Sequence, residues 1–264
     1  MPMHQIVSRE DWLAARKAHL VHEKAVTREL DRLAAERRAL PWVRVEQDYV
    51  FEGASGRQGL AELFGGNSQL FIYHFMFGPD WQQGCPSCSF LADHIDGANL
   101  HLKHHDVSVV VSSRAPWAKI AAFKQRMGWD FTWVSSYGSD FNFDYQVSFT
   151  DEDKAQNRAY YNFTTGDYLF DEMPGVSVFC KDVSGLVYHT YSAYARGGDI
   201  LLGAHHFLDM TPKGRNEDRT MDWVRHHDRY EAMLPQDCCG GDGEARDPVT
   251  EMRRSEMQHQ DPPR

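Results

Sequence analysis

The chain has 264 residues, 42% of them hydrophobic, and a formal net charge of −10. That length supplies one large domain, or one domain with extensions, and the negative charge argues against nucleic-acid binding as the main task. No apolar run is long enough to cross a bilayer, and the five cysteines, Cys85, Cys88, Cys180, Cys238 and Cys239, are too few for a disulfide scaffold of this size.

The opening Met1-Pro-Met-His-Gln5 has no basic region followed by an apolar stretch, so no signal peptide is expected and a cytoplasmic, reducing compartment is. Ser8-Arg-Glu-Asp11 resembles a capping box, with Asp11 where Glu or Gln is usual. From there to about Arg38 the chain is rich in Ala, Leu, Glu, Arg and Lys. Leu13 and Leu20 share one face, as do Val26, Leu30 and Leu33, so a long helix ends before Pro41. Its expected role is packing or homodimerisation. Tyr49–Phe51 and Gly53–Gly56 read as a short strand and turn, and Gly59–Gly65 as a short helical turn.

Residues 69–77 form a first buried strand, ending at the turn Gly78-Pro79. Cys85-Pro86-Ser87-Cys88 follows, and after it Leu91, Ile95, Ala98 and Leu102 recur at helical spacing. The order is buried strand, loop, two cysteines, helix. A thiol at a helix N-terminus meets partial positive charge that favours its thiolate, and two thiols three apart can close a small disulfide ring. In a reducing compartment such a pair is usually redox-active rather than a permanent staple. A zinc site would need two more ligands in register, and no second CxxC exists.

Val107–Val111 is a second strand, Ala115–Met127 an amphipathic helix with Ile120 and Phe123 inward, and Phe131–Val134 a third strand. Strand, helix, strand, helix, strand implies a parallel sheet with crossover helices. Residues 135–165 are aromatic, polar and poorly periodic, and read as an irregular insertion. Val176–Phe179 and Leu186–Thr190 flank the turn Asp182–Gly185, a hairpin signal. Gly197–Leu208 is a last helix. From Gly240 onward Gly, Pro and charge dominate, the composition of a disordered tail.

Strand, CxxC, helix, strand, helix, then Pro174 and a hairpin resembles the thioredoxin-like plan, and the stretch from Tyr49 to Ser136 resembles its peroxiredoxin and thiol-specific antioxidant branch. More closely, the chain resembles domain-of-unknown-function family 899, described as predicted dithiol-disulfide oxidoreductases. The segments that carry the likeness include Cys85-Pro-Ser-Cys-Ser-Phe90, Ser113-Arg-Ala-Pro116, Arg126-Met-Gly-Trp129, Trp133–Asn142, Pro174–Phe179, His189–Gly197 and Leu208–Arg215. The resemblance implies an α/β thioredoxin-like fold and redox chemistry, without naming a substrate. One departure bears on chemistry: Gln82 stands three residues before Cys85, where a peroxiredoxin carries Thr or Ser before its peroxide-attacking cysteine.

The expected roles follow. Cys85, nearer solvent and the helix N-terminus, attacks, and Cys88, one turn in, resolves the mixed disulfide. By resemblance Pro174 is cis and faces the disulfide, leaving a backbone edge for an extended substrate. Arg114, at the end of the second strand, is a candidate cation near the thiols, and Trp81 a candidate wall. Fourteen histidines open an alternative: copper or another metal held by Cys85 and Cys88 with His74, His101, His105 or His189, since thiolates suit Cu(I) and imidazole suits Cu(II). His101 and His105 are i,i+4, a metal-binding spacing if the helix persists that far. Cys180 reads as a buried small apolar residue, and Cys238-Cys239 as a possible relay.

The expected organisation is an N-terminal helical extension over 1–41, a thioredoxin-like domain over 42–235 and a flexible tail over 236–264. The leading function is a thiol-disulfide oxidoreductase without organic cofactor, acting on a protein or small-molecule thiol or disulfide, with no nucleic-acid or membrane partner.

Overall fold

A computed structural model describes residues 4–166, 168 and 170–230. The expected tail and Cys238-Cys239 lie outside the described residues. The chain divides into two compact units between Val43 and Arg44. The first holds one unbroken helix, α1 (Arg9–Arg38). Its N-cap Ser8 accepts the Asp11 amide at 3.1 Å and donates its hydroxyl to the Asp11 carboxylate at 2.7 Å. Glu10 and Asp11 in the first turn, and Arg37 and Arg38 in the last, complement the helix dipole.

The second unit is built on a mixed sheet. Its strands are β1 (Val43–Arg44), β2 (Val50–Gly53), β3 (Gly56–Gly59), β4 (Gln69–His74), β5 (Val107–Ser113), β6 (Thr132–Ser135), β9 (Gly175–Lys181) and β10 (Val187–Tyr194). A separate small hairpin joins β7 (Tyr160–Tyr161) and β8 (Thr164–Thr165). The helices are α2 (Pro86–Lys103), α3 (Trp117–Met127), α4 (Phe141–Asp144), α5 (Asp151–Ala155) and α6 (Gly203–Asp209). The sheet order is β1-β10-β9-β4-β5-β6-β2-β3.

Strands β4, β5 and β6 run parallel through α2 and α3, while β9 returns antiparallel to β4 and β10 antiparallel to β9. The central order β5-β4-β9-β10, with the cysteine-bearing helix between β4 and β5, is the thioredoxin-like arrangement. The β9–β10 turn closes at Gly185, whose φ of 87° is the left-handed region glycine tolerates. The Asp182 carboxylate accepts the Ser184 and Leu186 amides.

Two of the departures from expectation have local reasons. The β4 ladder ends at His74, but the Phe75 amide still donates to Ser112 O at 2.9 Å and the Ala115 amide to Phe77 O at 2.7 Å, so the chain stays extended to the turn at Gly78. The expected helix over 197–208 is two pieces, a 3-10 turn over Ala195–Leu201 and then α6. The break is at Leu202, which takes a non-helical ψ of 76° and drives its side chain into the core.

The sheet is covered on both faces, each buried large apolar side chain contributing roughly 1.5–3 kcal/mol. One face packs Tyr73, Phe75 and Val109 under Leu91, Ile95, Ile120 and Phe123 of α2 and α3. The other packs Leu70, Ile72 and Phe179 under Leu60, Phe64, Phe141 and Tyr145. The insertion is less irregular than its sequence reads: Val147, Phe149, Ala159 and Tyr161 build a third cluster with Met173 and Tyr194. Among the described residues, no helix is long and apolar enough to cross a membrane.

Candidate functional site

The path from β4 into α2 places both cysteines. Cys85 is the N-cap of α2, with φ −60° and ψ 131°, and Pro86 fills the first helical position, where no N–H is needed. The Cys85 carbonyl accepts the Ser89 amide and the Ser89 hydroxyl, each at 2.9 Å. The Cys85 amide donates to Met76 O at 3.1 Å, and the Met76 amide donates to Cys88 Sγ at 3.5 Å. One residue on the extended segment after β4, Met76, therefore holds both ends of the motif through its backbone.

Both cysteines are thiols. Cys85 is 4% exposed and Cys88 2%, so the expectation that Cys85 stands open to solvent does not hold. The insertion and the segment over 220–229 cover the motif. Both thiols instead line a cavity of about 160 Å³, together with Tyr73, Leu91, Tyr161 and Pro174. Burial pushes the Cys88 thiol well above its ordinary value, and neighbouring Cys85 adds to the rise. The Tyr73 hydroxyl and the Met76 amide act the other way, by hydrogen-bonding to the sulfur. Burial likewise raises the Tyr73 phenol. Cys85 holds the helix N-terminal place, where backbone N–H groups favour an anion, and Cys88 sits one turn deeper in apolar packing.

Pro174 shares the cavity with the thiols, but it is not cis: the described residues contain no cis peptide bond. The reason lies in the insertion. The Phe149 amide donates to Asp171 O at 3.1 Å and the Met173 amide to Val147 O at 2.8 Å, pairing 147–149 with 171–173 as an antiparallel bridge. An extended trans path keeps that pairing in register with β9. The Pro174 carbonyl accepts the Tyr161 hydroxyl at 2.6 Å, and that hydroxyl accepts the Ala195 amide at 2.8 Å. The backbone edge expected to be open to a substrate is thus already occupied.

Arg114 is not brought to the thiols. It pairs with buried Glu172 at 2.8 Å and lies over the Phe143 ring, 4.5 Å from its centroid. Glu172 also accepts the Ser148 hydroxyl at 2.9 Å. Burial raises the Glu172 carboxyl to about 7, against the opposing pull of Arg114 and Ser148. Arg114 therefore anchors the segment that carries Met173 and Pro174. Trp81 packs on Gly78 and is not a wall of this cavity. Cys180 is only partly buried, on β9 and outside the cavity.

The histidines separate from the cysteines. His74 and His189 project to the opposite face of the sheet, against Phe141, Tyr145 and Phe179. A buried chain of hydrogen bonds links them: His74 Nε2 to Ser177 Oγ at 2.9 Å, Ser177 Oγ to Ser192 Oγ at 2.9 Å, and Ser192 Oγ to His189 Nε2 at 2.8 Å. Burial lowers the His74 imidazole to about 3. α2 ends at Lys103, so His105 falls beyond it and the i,i+4 spacing with His101 is lost. His101 also lies sixteen residues past Cys85, a helical rise of roughly 24 Å. Among the described residues no group of three or more His, Cys, Asp or Glu side chains is placed to hold a metal ion.

Several site residues were not singled out from sequence. Tyr73 offered a signal, because a phenol inside an apolar strand needs a partner. His226 reads in the sequence only as half of the histidine pair His226-His227, but it is buried, and its Nε2–H donates to Gly84 O at 2.9 Å, just before Cys85. Around it Arg126 forks onto Asp228 with two contacts of 2.8 Å, and Arg229 reaches Gln83 at 2.9 Å. Tyr161 and Glu172 gain their roles only through the folded insertion.

The sequence matches, over residues 1–230, the family described as "Bacterial protein of unknown function (DUF899)". The chain belongs to that family. No curated protein matches this DUF899 chain. Among solved structures it is similar to peroxidoxin BcpB from Mycobacterium tuberculosis, with 14% identity and a TM-score of 0.43 over 62% of this chain and 94% of that one. It is also similar to PrxQ from Xylella fastidiosa, with 11% identity and a TM-score of 0.40 over 62% and 96%. A third is a putative thiol:disulfide interchange protein DsbE from Chlorobium tepidum, with 15% identity and a TM-score of 0.35 over 57% and 86%.

Proposed function

We propose that this DUF899 chain is a thiol-disulfide oxidoreductase working through Cys85 and Cys88, without an organic cofactor. One observation carries the reading: both thiols line a single cavity at the start of α2, with Cys85 at the helix N-cap and Cys88 buried behind it. The Cys85 thiolate attacks one sulfur of a disulfide, forming a Cys85 mixed disulfide and releasing one substrate thiolate. The Cys88 thiolate then attacks the Cys85 sulfur and releases the second. The substrate disulfide is reduced to two thiols, which take up the two protons the cysteines give up. The protein is left with a Cys85–Cys88 disulfide, and an external dithiol restores it.

Intact mass after incubation with a disulfide tests the reading, in chains where Cys238 and Cys239 are also replaced by Ser. Cys88→Ser is expected to accumulate a mixed disulfide on Cys85, because nothing remains to resolve it. Cys85→Ser is expected to lose turnover and trap nothing. If Cys85→Ser traps and Cys88→Ser does not, the two roles exchange. Unchanged disulfide reduction in both variants would discard the dithiol reading.

A further inference from the structure

The segment leading into β9 has little backbone to offer a peptide: Glu172 and Met173 are buried, and the Met173 amide and Pro174 carbonyl are already engaged. Recognition by strand addition needs unpaired N–H and C=O groups along an edge. Here the Met173 amide is held by Val147 O and the Asp171 carbonyl by the Phe149 amide. The Pro174 carbonyl is held by Tyr161, proline has no N–H, and Gly175 pairs with both His74 and Tyr194 in the sheet. The pairing is anchored from below by Arg114, Glu172 and Ser148, and above by the aromatic cluster of the insertion.

What remains open to the thiols is the cavity itself. Its walls include Met76, Leu91, Val176, Ala193, Leu202 and Met221. Its two charged lining residues, Arg196 and Asp199, pair with each other at 3.1 Å and sum to no net charge. The volume is about 160 Å³, and an apolar cavity of about 150 Å³ is enough to hold a benzene ring.

Resting on the redox reading above, we infer that the dithiol acts on small, uncharged, apolar disulfides that enter this cavity, and not on extended protein segments. An aryl or alkyl group beside the scissile bond fills the pocket and presents one sulfur to Cys85. A carboxylate in the same place would give up its water against mostly apolar walls.

Three disulfides test this with the full chain and a dithiol reductant: neutral dithiodipyridine, dianionic dithiobis(nitrobenzoate) and insulin. Each rate is divided by the rate of the same disulfide with N-acetylcysteine, which removes intrinsic reactivity. The normalised rate for dithiodipyridine is expected to exceed the other two by about tenfold or more, the order set by an unpaired buried charge. Ala193→Leu inside the cavity and Thr220→Trp at its rim are expected to slow dithiodipyridine reduction. Equal normalised rates, or a preference for insulin, overturn the inference while a loss of activity in Cys85→Ser keeps the redox reading. If the wild type reduces none of the three, or Cys85→Ser reduces them as well as the wild type does, the redox reading falls and the inference with it. Should the filling variants not fold, the wild-type comparison alone decides.

Discussion

The Met76 amide donates to the Cys88 sulfur at 3.5 Å, while the carbonyl of the same residue accepts the Cys85 amide at 3.1 Å. Twelve residues separate Met76 from Cys88 along the chain. The contact exists because β4 continues extended to the turn at Gly78 and α2 then folds back beside it. A backbone clip of this kind sets the spacing of the two thiols whatever side chain stands at position 76.

Tyr73 supports the same sulfur from its side chain. Tyr73→Phe keeps the ring and removes the hydroxyl that favours the Cys88 thiolate. The mixed disulfide on Cys85 is then expected to persist about fivefold longer, the rate equivalent of one net hydrogen bond of ~1 kcal/mol. Quenched-flow mass analysis measures that lifetime. An unchanged lifetime with an unchanged melting temperature would show that the phenol does not assist resolution.

Gly84 precedes the motif with no room for a side chain. A Cβ there would stand 2.5 Å from Phe75 Cε1 and 2.9 Å from Phe123 Cε1, two buried rings. Gly84→Ala is therefore expected to destabilise the fold by roughly 1–3 kcal/mol, the usual range for overpacking. A urea midpoint equal to that of the wild type would contradict this.

Glu172 makes stability depend on pH. Its folded carboxyl titrates at about 7 because burial disfavours the charge, whereas an unfolded glutamate titrates near ~4.3. Between those values the folded state binds the proton more tightly than the unfolded chain does. Stability from this group is therefore fully present at the acid end and falls as pH rises through about 7, by up to roughly 1.4 kcal/mol per pH unit. Denaturation midpoints of Glu172→Gln across that window should decline less steeply than those of the wild type. Parallel curves would refute the assignment.

His226 holds the Gly84 carbonyl from the segment that covers the site. His226→Phe preserves the ring contact with Phe123 but leaves that carbonyl buried without its donor. A loss of about 1–3 kcal/mol is expected, together with faster alkylation of Cys85 by iodoacetamide as the loop loosens. Slower alkylation, or no change in either quantity, would be inconsistent with a covering role.

Much of the fold was legible because its signals are local. The β-branched run Val107–Val111, the apolar spacing of Leu91 and Ile95, and the turn before Leu186 each depend on residues a few positions apart. Pro86 after Cys85 marks a helix start for the same reason. The insertion resisted reading because its aromatic residues follow no single period: Val147, Phe149 and Tyr161 become a core only when Met173 and Tyr194 arrive from later parts of the chain. The histidines misled for a related cause. Strand side chains alternate between faces, and His74, next to Tyr73 in sequence, projects away from the cysteines that Tyr73 touches.

By itself the sequence determined the thioredoxin-like order of elements and the place of Cys85 and Cys88 at the start of a helix, since both follow from short-range periodicity and capping. Only the tertiary structure decided what surrounds those thiols. The pairing of Met173 with Val147, the ion pair of Arg114 with Glu172 and the hydrogen bond of His226 to Gly84 join residues 26, 58 and 142 positions apart. Contacts of that separation form only after the chain has collapsed around its core, so nothing in the neighbouring sequence announces them. They turn a solvent-facing Cys85 with an open peptide edge, as the sequence reads, into a buried dithiol facing a small apolar cavity.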